Sequence, residues 1–267
     1  MIATFPSAPS LPAGMTPDQL AAFHQDGFHV ARGLIPMDEI LAIRSHYDEL
    51  HRRAPIYEVY TTDPSSSDPL KVYPRMMQPH RWDAFSKRYL LDERILGVLR
   101  CAIGEEPLAA QSMFYFKPPG AEGQHFHQDN FYLMATPGTC YAAWLAVDDA
   151  DHENGGLMVQ PGSHLRGLGT PARGDVTQWG NLTNPPTSEQ TVEVSMRAGD
   201  CLFFSGSLIH GSLANRSEQR WRRSFICHYV GAATTKQVGA YYHPIFAADG
   251  SIAPIVGGLE FPPGNAT

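Results

Sequence analysis

Cysteine is scarce in this sequence, with four residues at 101, 140, 201 and 227 and no C-x-x-C pair among them. That spacing excludes a disulfide scaffold and leads us to expect reduced thiols in a cytoplasmic protein. Basic residues are in the minority, 20 Lys and Arg against 27 Asp and Glu, so the net charge of −7 offers no broad footprint for nucleic acid or an anionic membrane. No apolar run reaches the roughly 18 residues that a membrane span needs. The opening segment MIATFPSAPSLPAGM has no charged start and is broken by three prolines, so it does not read as a signal peptide. Internal repeats are absent, and the triplet Ser65-Ser66-Ser67 is the only low-complexity tract.

What is present is a 43% hydrophobic chain carrying 24 glycines and 22 prolines, which describes a globular protein rich in turns and strands. Residues 1–267 are expected to form one domain, since barrels and sandwiches of this length are commonly single. Residues 1–14 read as a flexible arm, and residues 16–104 as mainly helical. Thr16 before Pro17 and Asp18 caps a first helix to about Phe23, ended by Asp26-Gly27. A strand over 28–35 follows. Pro36 then opens a helix to about Arg53, with Ile40, Ile43, Tyr47 and Leu50 at three- and four-residue spacing. Prolines punctuate 54–80, a lid-like excursion. A third helix is expected from about Trp82 to Ile103, stopped by Gly104. Over 105–230 the chain breaks into short apolar runs, 109–117, 139–148, 155–160, 191–197, 200–209 and 222–230, which predict an antiparallel β-sandwich or barrel.

Chemistry concentrates in Gln124-His125-Phe126-His127-Gln128-Asp129-Asn130. On a strand, residues i and i+2 share a face about 6–7 Å apart, so His127 and Asp129 can lean onto one ion while Gln128 points away. A carboxylate with imidazole suits a divalent first-row metal with open positions. His125 shares that face, so a His125/His127 pair stays open, as does a simple polar turn. The third ligand candidate is His210, closing the apolar run Cys201 to Ile209; a hydrogen-bonded core histidine is the competing reading. Beyond it Arg216, Arg220, Arg222 and Arg223 fall within eight residues of an otherwise acidic chain. If the strand from Arg222 alternates, one arginine faces inwards, and a buried guanidinium wants a carboxylate to grip with two parallel bonds.

Taken in order, His127-x-Asp129, Asn154-Gly155-Gly156-Leu157 with Pro161-Gly162-Ser163-His164, Gly199-Asp200 and His210-Gly211-Ser212 followed by arginine resemble the phytanoyl-CoA dioxygenase family. The likeness runs from about Thr16 to Val230 and includes Leu20-x-x-Phe23-x-x-Asp26-Gly27-Phe28. It implies a mostly β fold with flanking α-helices, built on a double-stranded β-helix of the jelly-roll or cupin-like kind. It implies Fe(II), with 2-oxoglutarate and O2 as cosubstrates. His127, Asp129 and His210 are then the catalytic metal triad. Arg222 corresponds to the arginine for the far carboxylate of 2-oxoglutarate, assisted by Ser212, and Met113 and Trp144 match further cosubstrate contacts. Arg222 lies twelve residues after His210, one more than the family's usual spacing, so Arg223 remains an alternative.

The activity so implied is hydroxylation or another oxidation of a C–H bond in a small molecule, releasing succinate and carbon dioxide. Related halogenases carry Ala or Gly where Asp129 stands, so halogenation is not expected. Tyr132, Arg75 and His80 are candidate substrate contacts, with Lys71, Arg81 and Trp82 nearby in sequence. Acyl-CoA is not expected, because no cationic surface is evident for its phosphates. His164 and the Asn154-Gly155-Gly156 turn read as structural. Partners are a small-molecule substrate, with neither nucleic acid nor membrane, and the chain is expected as monomer or homodimer. Two other readings stand beside this one: a non-catalytic metal-binding or ligand-sensing β-barrel, whose metal would be closed by His125 or His164, and a non-haem iron oxygenase that does not use 2-oxoglutarate.

Overall fold

The computed structural model describes residues 14–56, 58–169, 182, 185–234 and 240–254. The expected arm therefore lies, apart from Gly14, outside the described residues. Helix α1 (Pro17–Asp26) begins with a reciprocal cap in which Gln19 N donates to Thr16 Oγ1 at 3.3 Å and Thr16 N donates to Gln19 Oε1 at 2.9 Å. It ends at Gly27, whose φ of 87° closes the last turn. Strand β1 (Phe28–Ala31) is half the expected length. The chain leaves the ladder because Gly33 N and Ile35 N turn back to Asp200 Oδ1 and Gly199 O, at 2.7 and 3.1 Å.

Helix α2 (Met37–Arg52) buries Ile40, Ile43, Tyr47 and Leu50. Full burial of each such side chain is worth about 1.5–3 kcal/mol. The 54–80 stretch contains a short helix α3 (Pro69–Val72) and strand β2 (Met76–Met77), which pairs with the main sheet and so anchors the excursion. The single helix expected over 82–103 is two, α4 (Ala84–Leu90) and α5 (Glu93–Ile103). Each starts at its own aspartate: Asp83 accepts from Ser86 N at 2.8 Å and Asp92 from Arg94 N at 2.9 Å.

Eight further strands complete the body: β3 (Pro107–Tyr115), β4 (Gln124–His127), then, after the single-turn helix α6 (Asn130–Leu133), β5 (Cys140–Ala146), β6 (Leu157–Val159), β7 (Val192–Val194), β8 (Cys201–Ser205), β9 (His210–Ser212) and β10 (Ser224–Gly231). They form two antiparallel sheets, one in the order β1-β8-β5-β10-β3-β2 and one in the order β4-β9-β6-β7. From β3 onward the chain passes from one sheet to the other at every step except the β6–β7 pair, which is the jelly-roll pattern of a double-stranded β-helix. The expected run 200–209 breaks for this reason. Strand β8 stops at Ser205, Gly206 passes hard against Cys140, where a Cβ would lie 2.1 Å from Sγ, and the chain crosses to the smaller sheet as β9.

Alternation along the large sheet separates structure from site. Phe114, Leu145, Phe203, Phe225 and Tyr229 point to the helices, where Tyr47 stacks on Phe114 with ring centroids 3.7 Å apart. Met113, Trp144, Phe204 and Ile226 point the other way, into the space between the sheets. All four cysteines are free thiols, and among the described residues no helix is long and apolar enough to cross a membrane.

Candidate active site

Strands β4 and β9 pair so that His127 and His210 are Cα partners. Asp129 is not on the strand: β4 ends at His127, and Asp129 sits in helical conformation (φ −63°, ψ −34°) at the head of α6. The carboxylate therefore reaches the cluster by a turn back from the strand end, not by sharing a pleat with His127. Gln128 does point away, its amide donating to Gly167 O and Ser207 O at 2.9 and 2.6 Å. Asp129 Oδ1 lies 3.4 Å from His127 Nε2, and Oδ2 lies 3.7 Å from His210 Nε2. One ligand atom from each of the three residues lies within 4.8 Å of the others, and all three side chains are buried.

The outer nitrogens of the two histidines are spoken for. His127 Nδ1 pairs with His125 O at 2.8 Å and His210 Nδ1 with Leu208 O at 3.1 Å. A carbonyl only accepts, so each Nδ1 carries the proton and each Nε2 keeps its lone pair; that of His127 lies 3.1 Å from the Gln124 side-chain nitrogen, which donates to it. Burial, reinforced by neighbouring His127, lowers the His210 pKa to about 4. Desolvation pushes Asp129 upward, but His210, His228 and His127 together outweigh it and hold the carboxyl well below the usual carboxylate range. Two imidazole nitrogens and one carboxylate form the donor set of a divalent iron site with open positions, so these residues fit the metal. His125 is exposed and lends only its carbonyl. His164 faces α1, its Nε2 3.1 Å from His24 O, so neither closes the cluster as a fourth ligand.

A cavity of about 560 Å³ opens over the three residues. Arg222 lines it from just before β10, with 2% of its surface exposed. Its Nε donates to Gly155 O at 3.2 Å and its Nη1 to Ser224 Oγ at 3.1 Å, while the guanidinium lies 5.4 Å over the Trp144 ring. Among the described residues no carboxylate pairs with it, and desolvation brings its pKa down to about 10. Arg223 points out to Asp148 and Asp48, at 2.9 and 3.1 Å. Ser212 lines the cavity too, but the hydroxyl bonded to Arg222 belongs to Ser224; Ser212 Oγ instead accepts from Gln124 N at 3.1 Å and Lys117 Nζ at 3.0 Å. Met113 and Trp144 are both in the wall.

Of the expected substrate contacts, Tyr132 and Arg75 line the cavity. Arg75 is exposed at its edge, where Nη1 donates to Tyr115 Oη at 3.0 Å. His80 is not in the wall. A 3₁₀ turn over Pro79–Arg81 tucks it beneath β3, its Nδ1 2.7 Å from Ser112 Oγ and its ring edge-on to Phe246. Lys71 and Trp82 are outside the lining as well, and Arg81 acts on backbone, donating to Tyr241 O and His243 O at 2.6 and 2.8 Å.

Several residues in or beside the cavity wall escaped sequence reasoning: Tyr241, Tyr242 and His228 line it, while Ser224 and Lys117 touch the lining residues Arg222 and Ser212. Tyr241 and Tyr242 come from the C-terminal segment, whose place carried no sequence signal. Ser224 and His228 did carry one: counted in twos from Arg222, positions 224, 226 and 228 share its side of the strand. Lys117 was visible only as part of Lys117-Pro118-Pro119. It is 4% exposed, and burial, with Arg222 nearby and only Glu122 opposing, lowers its pKa to about 6.

A double-stranded β-helix holding two histidines and a carboxylate on its smaller sheet, with a buried arginine across the cavity, defines the class of non-haem iron oxygenases. The family model for phytanoyl-CoA dioxygenase matches residues 23–224. The chain belongs to the phytanoyl-CoA dioxygenase family, and with it to the Fe(II)- and 2-oxoglutarate-dependent dioxygenases. Phytanoyl-CoA dioxygenase of Arabidopsis thaliana is 28% identical over 252 residues, covering 81% of this chain and 89% of its own. The peroxisomal phytanoyl-CoA dioxygenase of Homo sapiens is 26% identical, covering 89% and 79%. Among solved structures, the epimerase SnoN from nogalamycin biosynthesis, in complex with Fe3+, alpha ketoglutarate and nogalamycin RO, shares the fold with a TM-score of 0.65, 24% identity and coverage of 94% and 91%. EctD from S. alaskensis, with 2-oxoglutarate and 5-hydroxyectoine, shares it with a TM-score of 0.67, 21% identity and coverage of 86% and 80%.

Proposed function

We propose that His127, Asp129 and His210 hold the iron, that Arg222 takes the far carboxylate of 2-oxoglutarate, and that the cavity admits a small molecule whose C–H bond is hydroxylated. The observation that carries the assignment is Arg222: a buried guanidinium without a carboxylate partner among the described residues, facing the same cavity as the three metal-ligating side chains. Iron with bound 2-oxoglutarate supplies the oxidative decarboxylation that activates dioxygen. The chain's own part is to place and to exclude. Ser224 and Gly155 fix the guanidinium fork, and Trp144 lies beneath it. Met113, Leu157, Phe204 and Ile226 surround the remaining space with apolar surface, which keeps water from the reacting centre.

We assign the substrate to the side of the cavity bounded by Arg75, Tyr132 and Tyr242, where the Arg75 guanidinium at the rim suits an anionic or strongly polar group. One catalytic domain, in a reducing cytoplasm, fits the four unpaired cysteines. A closed structural metal site is disfavoured, because the cluster found among the described residues has three members and no fourth ligand. The test is anaerobic titration of the Fe(II) protein with 2-oxoglutarate. A visible metal-to-ligand charge-transfer band is expected in the wild type, and Asp129→Ala should lose both the metal and the band. No band in the iron-loaded wild type would overturn the reading.

A further inference from the structure

Asp129 is touched by three imidazoles, and they are not alike. His127 and His210 approach at 3.4 and 3.7 Å, longer than a hydrogen bond, and both have Nδ1 committed to a backbone carbonyl. His228, 3% exposed on β10, sits at hydrogen-bond distance, with Nε2 3.0 Å from Asp129 Oδ2. Its Nδ1 is buried and has no partner among the described residues. A carboxylate can only accept, so the His228 proton resides on Nε2, and this ring presents a donor where the other two present lone pairs. The register holds it there: His228 pairs with Ala142 of β5 on one side and Gln111 of β3 on the other, and the β3 ladder slips between His228 and Tyr229. That irregularity, beside the site, is where a bulge re-aims a side chain.

We propose that His228 is a positioning residue for Asp129: by engaging Oδ2 it leaves Oδ1 as the single free ligand atom of the carboxylate and fixes the carboxylate plane. The inference rests on the assignment of His127, Asp129 and His210 as metal ligands. Its chemical consequence is one-oxygen ligation, which keeps positions free for cosubstrate and dioxygen instead of letting both carboxylate oxygens fill them. Partners of this kind typically contribute about 10- to 100-fold to metal affinity.

The experiment uses the whole protein and Co(II) as an oxygen-stable probe, with affinity read by calorimetry and folding by circular dichroism. His228→Gln places an amide N–H near the position of Nε2, whereas His228→Asn is as polar but too short to reach Asp129. The expected result is near wild-type Co(II) affinity for His228→Gln and a loss of about tenfold or more for His228→Asn. His228→Leu should fall at least as far as His228→Asn. Equal affinity in Gln and Asn variants, whether both strong or both weak, overturns the proposal, since reach to Oδ2 would then not matter. Asp129→Ala separates the two levels. If it binds Co(II) like the wild type, the ligand assignment itself has failed; if it does not bind while Gln and Asn variants are equal, only the role of His228 has failed.

Discussion

His127 and His210 face each other across the β4–β9 ladder as Cα partners, with ring centroids 4.2 Å apart and planes tilted by 50°. The two nitrogen ligands of the proposed iron site are thus a cross-strand pair, and their spacing is a property of register. A slip of one residue would turn one ring to the opposite face of the sheet. The residue between His210 and Ser212 has no side chain for the same reason: an added Cβ at Gly211 would lie 2.9 Å from Gln124 O and 3.2 Å from Phe126 N.

Gly211→Ala should therefore push β9 off β4. The expected cost is about 1–3 kcal/mol of folding stability, measured by urea unfolding, together with weaker Co(II) binding than in the wild type. Unchanged metal affinity would show that the ladder does not set the distance between the rings.

Arg222→Ala should remove about 2–5 kcal/mol of 2-oxoglutarate binding, the usual consequence of truncating one partner of a buried hydrogen-bonded charge pair. Metal affinity should be retained, because Arg222 bonds to Gly155 and Ser224 and not to the proposed metal ligands. Arg222→Lys should lie between, since an ammonium cannot present the planar fork. Arg223→Ala should keep cosubstrate affinity and lose about 1–3 kcal/mol of stability, because Asp148, largely buried beside Arg223, would lose one of its two arginine partners. Anaerobic titration and urea unfolding on the same samples distinguish these outcomes.

The residue pattern made the layout legible wherever one local rule acted alone. The Thr16 cap and the α2 stripe follow from the spacing of capping and apolar residues, and the expected run 222–230 is a strand that starts two residues later, at Ser224. It was less informative where two rules competed. Ala84 to Ile103 has a continuous apolar period, yet Asp83 and Asp92 each offer a cap, and the second cap breaks the helix. In Cys201 to Ser212 the apolar run continues through a change of sheet that only Gly206, pressed against Cys140, reveals. His80 looked accessible because a proline-rich stretch suggests a loop, but β2 pairing turns it inward beneath β3. Tyr241 and Tyr242 reach the cavity through a long-range contact that no local pattern encodes.

That contact has its own clamp. Arg81 holds the carbonyls of Tyr241 and His243, and Phe246 pairs with Ala109 at the end of β3. Arg81→Ala should loosen the wall without touching the metal cluster. Amide hydrogen exchange should rise across 240–247 while exchange in β4 and β9 and Co(II) affinity stay at wild-type values. Equal protection in the variant would mean that the Phe246 pairing suffices by itself.

Lys117 sits behind the cavity wall, against Ser212 and the backbone of Arg222. Its Nζ donates to Ser212 Oγ at 3.0 Å and to Leu213 O at 2.5 Å, both neutral partners, and burial lowers its pKa from 10.5 to about 6. Between those two values the unfolded chain binds more protons at this site than the folded one, so the lysine contribution to stability rises with pH across that window and is flat outside it. Lys117→Met removes that contribution. The variant should gain most over the wild type near pH 6, and the gain should shrink steadily toward pH 10, as read by urea unfolding at fixed ionic strength. Bound 2-oxoglutarate would favour the charged lysine, so wild-type affinity should fall from pH 6 to pH 8 while that of Lys117→Met changes less. A pH-independent difference between the two proteins in both measurements would show that Lys117 does not titrate near pH 6 and acts only through its hydrogen bonds.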